Sequence, residues 1–189
     1  MAVRQGYLYR IWKLDNKKRI CIRSSVHSFK SRTEVEGGEP KVVYQNVYTM
    51  LEYELSKMRW KANLDQQLAQ CLTKEVQDNS SKINRWVVQS LLAGVDQIKF
   101  AFVARKTPKD PSSHVILGTY GIDTRSFCNQ INLNMQNCWA ILQEVIDIVY
   151  GQPEPTGEFI FMKDPTKAIM RLFRVTEEED DEDEPEDEL

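Results

Sequence analysis

The amino-acid sequence predicts an α/β domain of the α+β type, in which a mixed β-sheet carries flanking helices. Short segments rich in β-branched and aromatic residues occur near both ends and in the middle of the chain, as is typical of strands. Longer segments between them carry apolar residues at helical spacing. Of the 189 residues, 41% are hydrophobic, which is enough for one core of ordinary size.

Three strands are predicted at the N-terminal end. Residues 7–14 are rich in aromatic and β-branched side chains, and residues 19–23 alternate between apolar and polar types. The run Asp15-Asn16-Lys17-Lys18 is typical of a turn, so these two strands are predicted to form a hairpin. Residues 28–40 are polar and contain a Gly-Gly pair, which predicts a flexible loop, and residues 41–47 are predicted to form the third strand.

Two helices are predicted next. The first has an apolar stripe made of Leu64, Leu68, Cys71, Leu72 and Val76. The second has a stripe made of Ile83, Trp86, Val87, Ser90 and Leu91. Residues 78–81 either interrupt the pattern or cap the second helix, and Gly94 is predicted to end it.

The remainder is predicted to continue the α+β pattern. Strands at residues 98–103 and 114–120 are joined by a proline-containing loop, and Asp123 or Thr124 is predicted to cap a short helix. A longer helix is predicted between Asn134 and Gly151. Residues 158–162 and 168–175 are predicted to close the domain as a hairpin. The predicted order is therefore β-β-β-α-α-β-β-α-α-β-β.

Charge is distributed unevenly along the chain. The net charge is −3, but residues 177–189 hold 11 acidic residues and no basic one, so the rest of the chain carries +8. Residues 1–33 hold nine basic residues and one acidic residue. This asymmetry points towards nucleic-acid contact at the basic end.

The predicted first hairpin interleaves cations, which hold phosphates, with aromatic rings, which stack on bases. The candidate RNA-binding residues are Arg10, Lys13, Lys17, Lys18, Arg19, Arg23, Tyr7, Tyr9 and Trp12. An ordinary edge hairpin is the alternative, with lysines that discourage edge-to-edge pairing and aromatics in the core.

The acidic C-terminal segment cannot build a core, so residues 176–189 are predicted to form a disordered tail. The tail is a candidate for docking onto a basic protein surface through Glu177, Glu178, Glu179, Asp180 and Asp181. Its alternative role is to raise solubility.

The sequence lacks the residues that several classes of protein function require. No apolar run approaches the ~20 residues of a membrane helix, and the four cysteines and two histidines show no zinc-ligand spacing. Nucleotide-binding and hydrolase motifs are absent from the sequence. The strands offer no carboxylate cluster for a metal-dependent nuclease, and Glu52 and Glu54 are expected to be solvated surface residues. We therefore expect no catalytic residue, no metal, no cofactor and no enzymatic activity.

Six short runs give the chain a family resemblance. They are Tyr9-Arg10-Ile11-Trp12-Lys13-Leu14, Asn84-Arg85-Trp86, Leu91-Leu92-Ala93-Gly94, Ser112-Ser113-His114-Val115-Ile116-Leu117-Gly118-Thr119, Gln130-Ile131-Asn132-Leu133 and Lys163-Asp164-Pro165. In order and spacing these runs resemble the C-terminal part of the d-type subunit of eukaryotic translation initiation factor 3. The resemblance covers roughly residues 6–175.

The resemblance implies a fold similar to decapping exonucleases. Residues 1–175 would be the C-terminal portion of an mRNA cap-binding domain, although the family's cap contacts lie in the half that has no counterpart here. Family members keep acidic residues in the strand that corresponds to residues 23–26 and a lysine where this chain has Tyr48. Ser25 and Tyr48 therefore argue against nuclease activity.

The resemblance further implies a cytoplasmic, ribosome-associated protein that takes part in mRNA recruitment. Its expected partners are other subunits of initiation factor 3, the small ribosomal subunit and mRNA, and no membrane. Two alternatives remain open: a residual RNA-cap nuclease of the same fold, and a degenerate half-domain that acts only as a protein-interaction scaffold.

Overall fold

The computed structural model describes residues 6–15, 17–32, 41–52, 60–107 and 109–175. The chain divides into two compact units, the first ending at Met135 and the second beginning at Gln136. In the described residues, no helix is long and apolar enough to cross a membrane.

The first unit begins with the predicted hairpin. Strand β1 (Gly6–Lys13) pairs antiparallel with β2 (Arg19–Val26), and Lys13 lies opposite Arg19 beside the turn. In the turn, Asp15 Oδ1 accepts hydrogen bonds from the backbone N–H groups of Lys17 and Lys18, at 2.7 and 2.6 Å. These bonds lower the pKa of the Asp15 carboxyl below its ordinary value. The prediction of this hairpin is confirmed.

A four-stranded mixed sheet forms the centre of the first unit. Its strand order is β3 (Ser28–Arg32), β4 (Lys41–Leu51), β5 (Gln97–Arg105) and β6 (His114–Asp123). β4 and β5 run parallel, and the two outer pairs are antiparallel, so the predicted mixed sheet with helices is confirmed.

The strands differ from the prediction mainly at β3 and β4, and β2, β5 and β6 are each three residues longer than predicted. Residues 28–32, predicted as part of a flexible loop, form β3 because β4 supplies a pairing partner along its whole length. β4 continues to Leu51 because Tyr48 and Met50 are buried in the core. The remainder of the predicted loop, residues 33–40, lies outside the described residues.

Helices α1 (Trp60–Asp78) and α2 (Ser80–Ala93) contribute the apolar stripes that the sequence predicts. They enclose a core with strands of the sheet and with α3 (Thr124–Gln130). Gly94 ends α2 in the left-handed conformation with φ 67°, and Asp123 Oδ1 accepts from the backbone N–H of Ser126 at the start of α3. The largest fully buried apolar side chains are Phe100, Phe102, Phe127, Met50, Ile83, Ile98 and Val87.

The second unit contains most of α4 (Met135–Tyr150) and the hairpin of β7 (Phe159–Lys163) and β8 (Met170–Arg174). The predicted helix and closing hairpin are confirmed. In the hairpin turn, Asp164 Oδ1 accepts from the backbone N–H groups of Thr166 and Lys167. Arg171 Nη1 lies 2.7 Å from Asp164 Oδ2, so the turn is fixed to β8.

Candidate nucleic-acid interface

The β1–β2 hairpin has one face that carries aromatic and cationic side chains together. Because side chains alternate along a strand, every second residue of β1 and its partner in β2 share this face. Its members are all exposed, and we call this set the outer face: Tyr7, Tyr9, Ile11, Lys13, Arg19, Cys21, Arg23 and Ser25. Five of the nine candidate RNA-binding residues therefore lie on one surface.

The opposite face of the hairpin packs on α2. The half-buried side chains on this inner face include Leu8, Trp12, Ile20 and Ile22. For Trp12, the structure therefore agrees with the alternative prediction, an ordinary edge hairpin whose aromatic side chains pack in the core. Its ring does not lie on the outer face.

Arg10 is the second candidate that the structure separates from the outer face. Its guanidinium lies directly against Gly94, at the C-terminal end of α2, so closely that a Cβ at residue 94 would overlap it. A cation at a helix C-terminus is stabilised by the partial negative charge of the last carbonyl groups. Arg10 therefore lies against the end of α2, on the side of the hairpin that faces the helix, and not on the outer face.

Cations concentrate at the tip of the hairpin. Lys13 and Arg19 face each other across the strands, and Lys17 and Lys18 follow in the turn. Lys18 also forms an exposed ion pair with Asp15, with 3.7 Å between Nζ and Oδ2. Further along the outer face, the guanidinium carbon of Arg23 lies 4.9 Å from the centroid of the Tyr7 ring. RNA binding by these residues stays a prediction, but their geometry suits contact with both phosphates and bases.

Tyr48, at the position where the resembled family keeps a lysine, belongs to a buried polar network. Its hydroxyl donates to the backbone carbonyl of Trp86 at 3.3 Å and lies 3.2 Å from Ser90 Oγ. Asn46, which is 1% exposed, donates from Nδ2 to Ser90 Oγ at 3.1 Å and accepts from the backbone N–H of His27 at Oδ1, also at 3.1 Å. The Tyr48 ring stacks on the Trp86 ring with centroids 4.6 Å apart.

Sequence reasoning missed this network. The available signal was Asn46, a polar residue at a position where the alternation of β4 places side chains in the core with Tyr48 and Met50. A buried amide requires hydrogen-bond partners, but sequence alone does not say that α2 provides them through Ser90.

Glu52 corrects another expectation. It is 9% exposed, and Oε1 accepts from the backbone N–H of Trp60 at 2.6 Å, where α1 begins. Its carboxylate is therefore a buried helix-start acceptor and not a solvated surface group. Glu54 lies outside the described residues, as do the five candidate docking residues of the acidic tail. No group of three His, Cys, Asp or Glu side chains suited to a metal ion occurs in the described part of the chain.

The second unit has a concave surface of a different character. A groove of about 550 Å³ lies between α4 and the β7–β8 hairpin. Its described lining includes Ile141, Val145, Ile148, Phe161, Met170 and Leu172. Apart from the acidic Glu144, the described lining is apolar and holds no cation for a phosphate, so the outer face is the better candidate for nucleic-acid contact.

Comparison with known proteins agrees with the resemblance. Residues 1–174 match the family described as eukaryotic translation initiation factor 3 subunit 7. Among curated relatives, the D-2 subunit of eukaryotic translation initiation factor 3 from Drosophila ananassae is 36% identical over 94% of this chain, and that from Drosophila melanogaster is 37% identical over 97%. The D-1 subunit from Drosophila sechellia is 36% identical over 96% of the chain.

The chain spans about a third of the length of these relatives, 32% in each of the three. All three are named as initiation factor subunits. The family match covers every residue of the fold described above except Val175, which follows the last strand. The chain therefore belongs to the eukaryotic translation initiation factor 3 subunit 7 family, which includes these D-type subunits.

Proposed function

We propose that the protein is a non-enzymatic component of the translation initiation factor 3 complex and that it takes part in recruiting mRNA to the small ribosomal subunit in the cytoplasm. The observation that carries this proposal is the family match along residues 1–174. The proposed partners are other subunits of the factor, the small ribosomal subunit and mRNA.

The outer face of the β1–β2 hairpin is the proposed RNA contact. It places Lys13, Arg19 and Arg23 beside two exposed tyrosine rings, on a hairpin whose inner face is fixed to α2. Cations supply affinity for phosphates, and the rings supply contacts to bases. RNA binding separates this proposal from a role as a protein scaffold alone.

The buried network around Tyr48 supports a non-enzymatic role. The Tyr48 hydroxyl hydrogen-bonds within the core, and its ring is stacked on Trp86. This side chain therefore acts as a packing and hydrogen-bonding element at the position where the resembled family keeps a lysine. A tyrosine hydroxyl held in the core in this way supplies neither a ligand for a metal ion nor a cation for a phosphate.

Affinity purification from cells of the source organism tests the proposal. The full chain is expressed with a tag, and the proteins that copurify with it are identified by mass spectrometry. A separate sedimentation experiment tests whether the tagged chain travels with small ribosomal subunits. We expect several subunits of initiation factor 3 in the eluate. A chain that sediments alone and retains none of these subunits would refute the proposal.

The acidic tail is proposed to dock onto a basic surface of another subunit. Replacing Glu177, Glu178 and Glu179 by Gln and Asp180 and Asp181 by Asn removes five negative charges and keeps side-chain size. We expect the variant to lose at least one co-purifying subunit at low salt. If the original chain and the variant copurify with the same set of subunits, the tail does not dock onto a subunit and serves solubility instead.

A further inference from the structure

We infer that the outer face of the β1–β2 hairpin binds unpaired, flexible RNA by stacking bases on Tyr9 and on the Tyr7–Arg23 pair. This inference rests on the proposed function and specifies the ligand of that surface. It predicts a preference for single strands over duplexes, with little preference for base identity.

The stacking groups are already arranged on the surface. Tyr9 is 68% exposed and lies directly opposite Arg23 across the two strands. Arg23 in turn covers part of the Tyr7 ring, with 4.9 Å between its guanidinium carbon and the ring centroid. Phenol rings and guanidinium planes both stack on nucleobases, and every base has a π-face, so such contacts tolerate any sequence.

The spacing of the two tyrosines selects the form of the RNA. Tyr7 and Tyr9 are two residues apart on one strand, which separates their Cα atoms by roughly 6.4–6.8 Å. Successive residues of one strand in duplex DNA are about 3.4 Å apart along the helix axis, and the stacked bases of an RNA duplex likewise lie closer together than the two tyrosines. The two rings therefore match bases that are not stacked on each other. A duplex also covers base faces with neighbouring bases, so an unpaired strand is the ligand that can use both rings.

The charge of the hairpin complements a strand that runs along it. Beyond Ile11, the outer face continues to the facing pair of Lys13 and Arg19 and then to Lys17 and Lys18 in the turn. A strand whose bases stack near Tyr9 can extend its phosphates towards this tip. Each phosphate contact contributes about −0.7 to the slope of log K against log salt for single strands.

The test uses the full chain and a short, uncapped, unstructured RNA oligonucleotide, with the matching RNA duplex as comparison. Affinity is measured by fluorescence anisotropy at several salt concentrations. We expect the single strand to bind more tightly than the duplex, and Tyr9→Ala to weaken single-strand binding roughly 5- to 140-fold. Tyr9→Phe keeps the ring and should bind like the original chain.

Tyr150 provides a matched control. It is 69% exposed, almost the same as Tyr9, and it lies at the end of α4 in the second unit. Tyr150→Ala should leave RNA affinity unchanged. Circular dichroism of each variant verifies that the chain remains folded.

Two outcomes overturn the inference in different ways. If Tyr9→Ala binds normally while Lys13→Ala with Arg19→Ala weakens binding, stacking is refuted, and the RNA contact of the proposed function stands on phosphates alone. If no substitution on the outer face changes RNA affinity, the inference and the RNA part of the proposed function both fail, although copurification with the factor could still succeed.

Discussion

Asn46 should contribute more to stability than any other side chain of the buried polar network. Its Oδ1 accepts from the backbone N–H of His27, and its Nδ2 donates to Ser90 Oγ. Asn46→Ala removes these two bonds and a longer one from Nδ2 to the Tyr48 hydroxyl at 3.4 Å, and it leaves the His27 N–H without this acceptor. An unsatisfied donor costs about 1–3 kcal/mol when it is buried and falls towards the lower end for the part-buried His27 N–H, and each hydrogen bond lost from Nδ2 adds about 0.5–1.5 kcal/mol. We therefore expect a loss of about 3 kcal/mol in the free energy of unfolding.

Ser90→Ala should cost less, about 1 kcal/mol. After this substitution, Asn46 Nδ2 can still donate to the Tyr48 hydroxyl, which lies 3.4 Å away. That hydroxyl can still donate to the Trp86 carbonyl at 3.3 Å. The network therefore retains partners for both remaining side chains, whereas Asn46→Ala removes an acceptor that nothing else in the network replaces.

Urea unfolding, followed by circular dichroism and tryptophan fluorescence, measures both losses. Asn46→Ala should also lower the melting temperature by about 6–12 °C, since about 2–4 °C per kcal/mol applies to a chain of this size. Thr49→Val is the matched control. Thr49 is exposed on the opposite face of β4, so this substitution should change the free energy of unfolding by no more than about 0.5 kcal/mol.

A double-mutant cycle tests the network itself. Because Asn46 and Ser90 share a hydrogen bond, their combined loss should differ from the sum of the single losses by at least about 0.5 kcal/mol. Strict additivity, or an Asn46→Ala loss below about 1 kcal/mol, would refute the reasoning and would mean that water or a relaxed backbone satisfies the freed groups.

Three further predictions concern the end of α2, helix initiation and acid sensitivity. Gly94→Ala should destabilise the chain by about 1 kcal/mol in urea unfolding, because residue 94 has φ 67°, where a Cβ is strained, and the Cβ would also displace the Arg10 guanidinium. Adding Arg10→Ala removes only the second cost, so most of the loss should remain; full recovery of the urea midpoint would contradict the backbone argument. Glu52→Ala should cost about 1 kcal/mol in urea unfolding by removing the acceptor at the start of α1, whereas Glu52→Gln should retain more stability. Hydrogen bonds from Arg171 and the turn lower the pKa of Asp164 from 3.8 to about 2, so its stabilising contribution is complete above pH 3.8 and is lost as the pH falls towards 2. Asp164→Asn should remove this acid dependence from pH-resolved unfolding curves, and identical curves would contradict it.

The sequence predicts strands and helices well where the side-chain pattern itself carries the signal. In the first hairpin, apolar and polar side chains alternate along β2, and the turn contains Asp15. In α2, the apolar stripe ends at Gly94, which adopts the left-handed conformation. β3 was missed because residues 28–32 show no apolar alternation, and Phe29 is 71% exposed. Its strand conformation depends on pairing with β4, which is a tertiary contact.

The candidate site was predicted only in part for a similar reason. Composition identifies the cations and aromatics of the hairpin, but the hairpin register decides which of them share a face. Trp12 lies opposite Ile20, and both face the core side, whereas Tyr9 lies opposite Arg23 on the outer face. The contact of Arg10 with Gly94 joins residues far apart in sequence, so no local pattern reveals it.

Helix α2 links the buried polar network to the hairpin that carries the proposed RNA contact. One side of it contributes Ser90 and Trp86 to the network beneath the sheet, and its C-terminal end holds Arg10 of the hairpin. We therefore expect a substitution in the network to weaken the proposed RNA binding by displacing α2, without touching any proposed RNA contact. Exposed outer-face residues do not carry this ambiguity, because their side chains do not support α2. Loss of binding in Tyr9→Ala at unchanged stability would thus report the contact itself, whereas the same loss in Asn46→Ala would report the position of the helix.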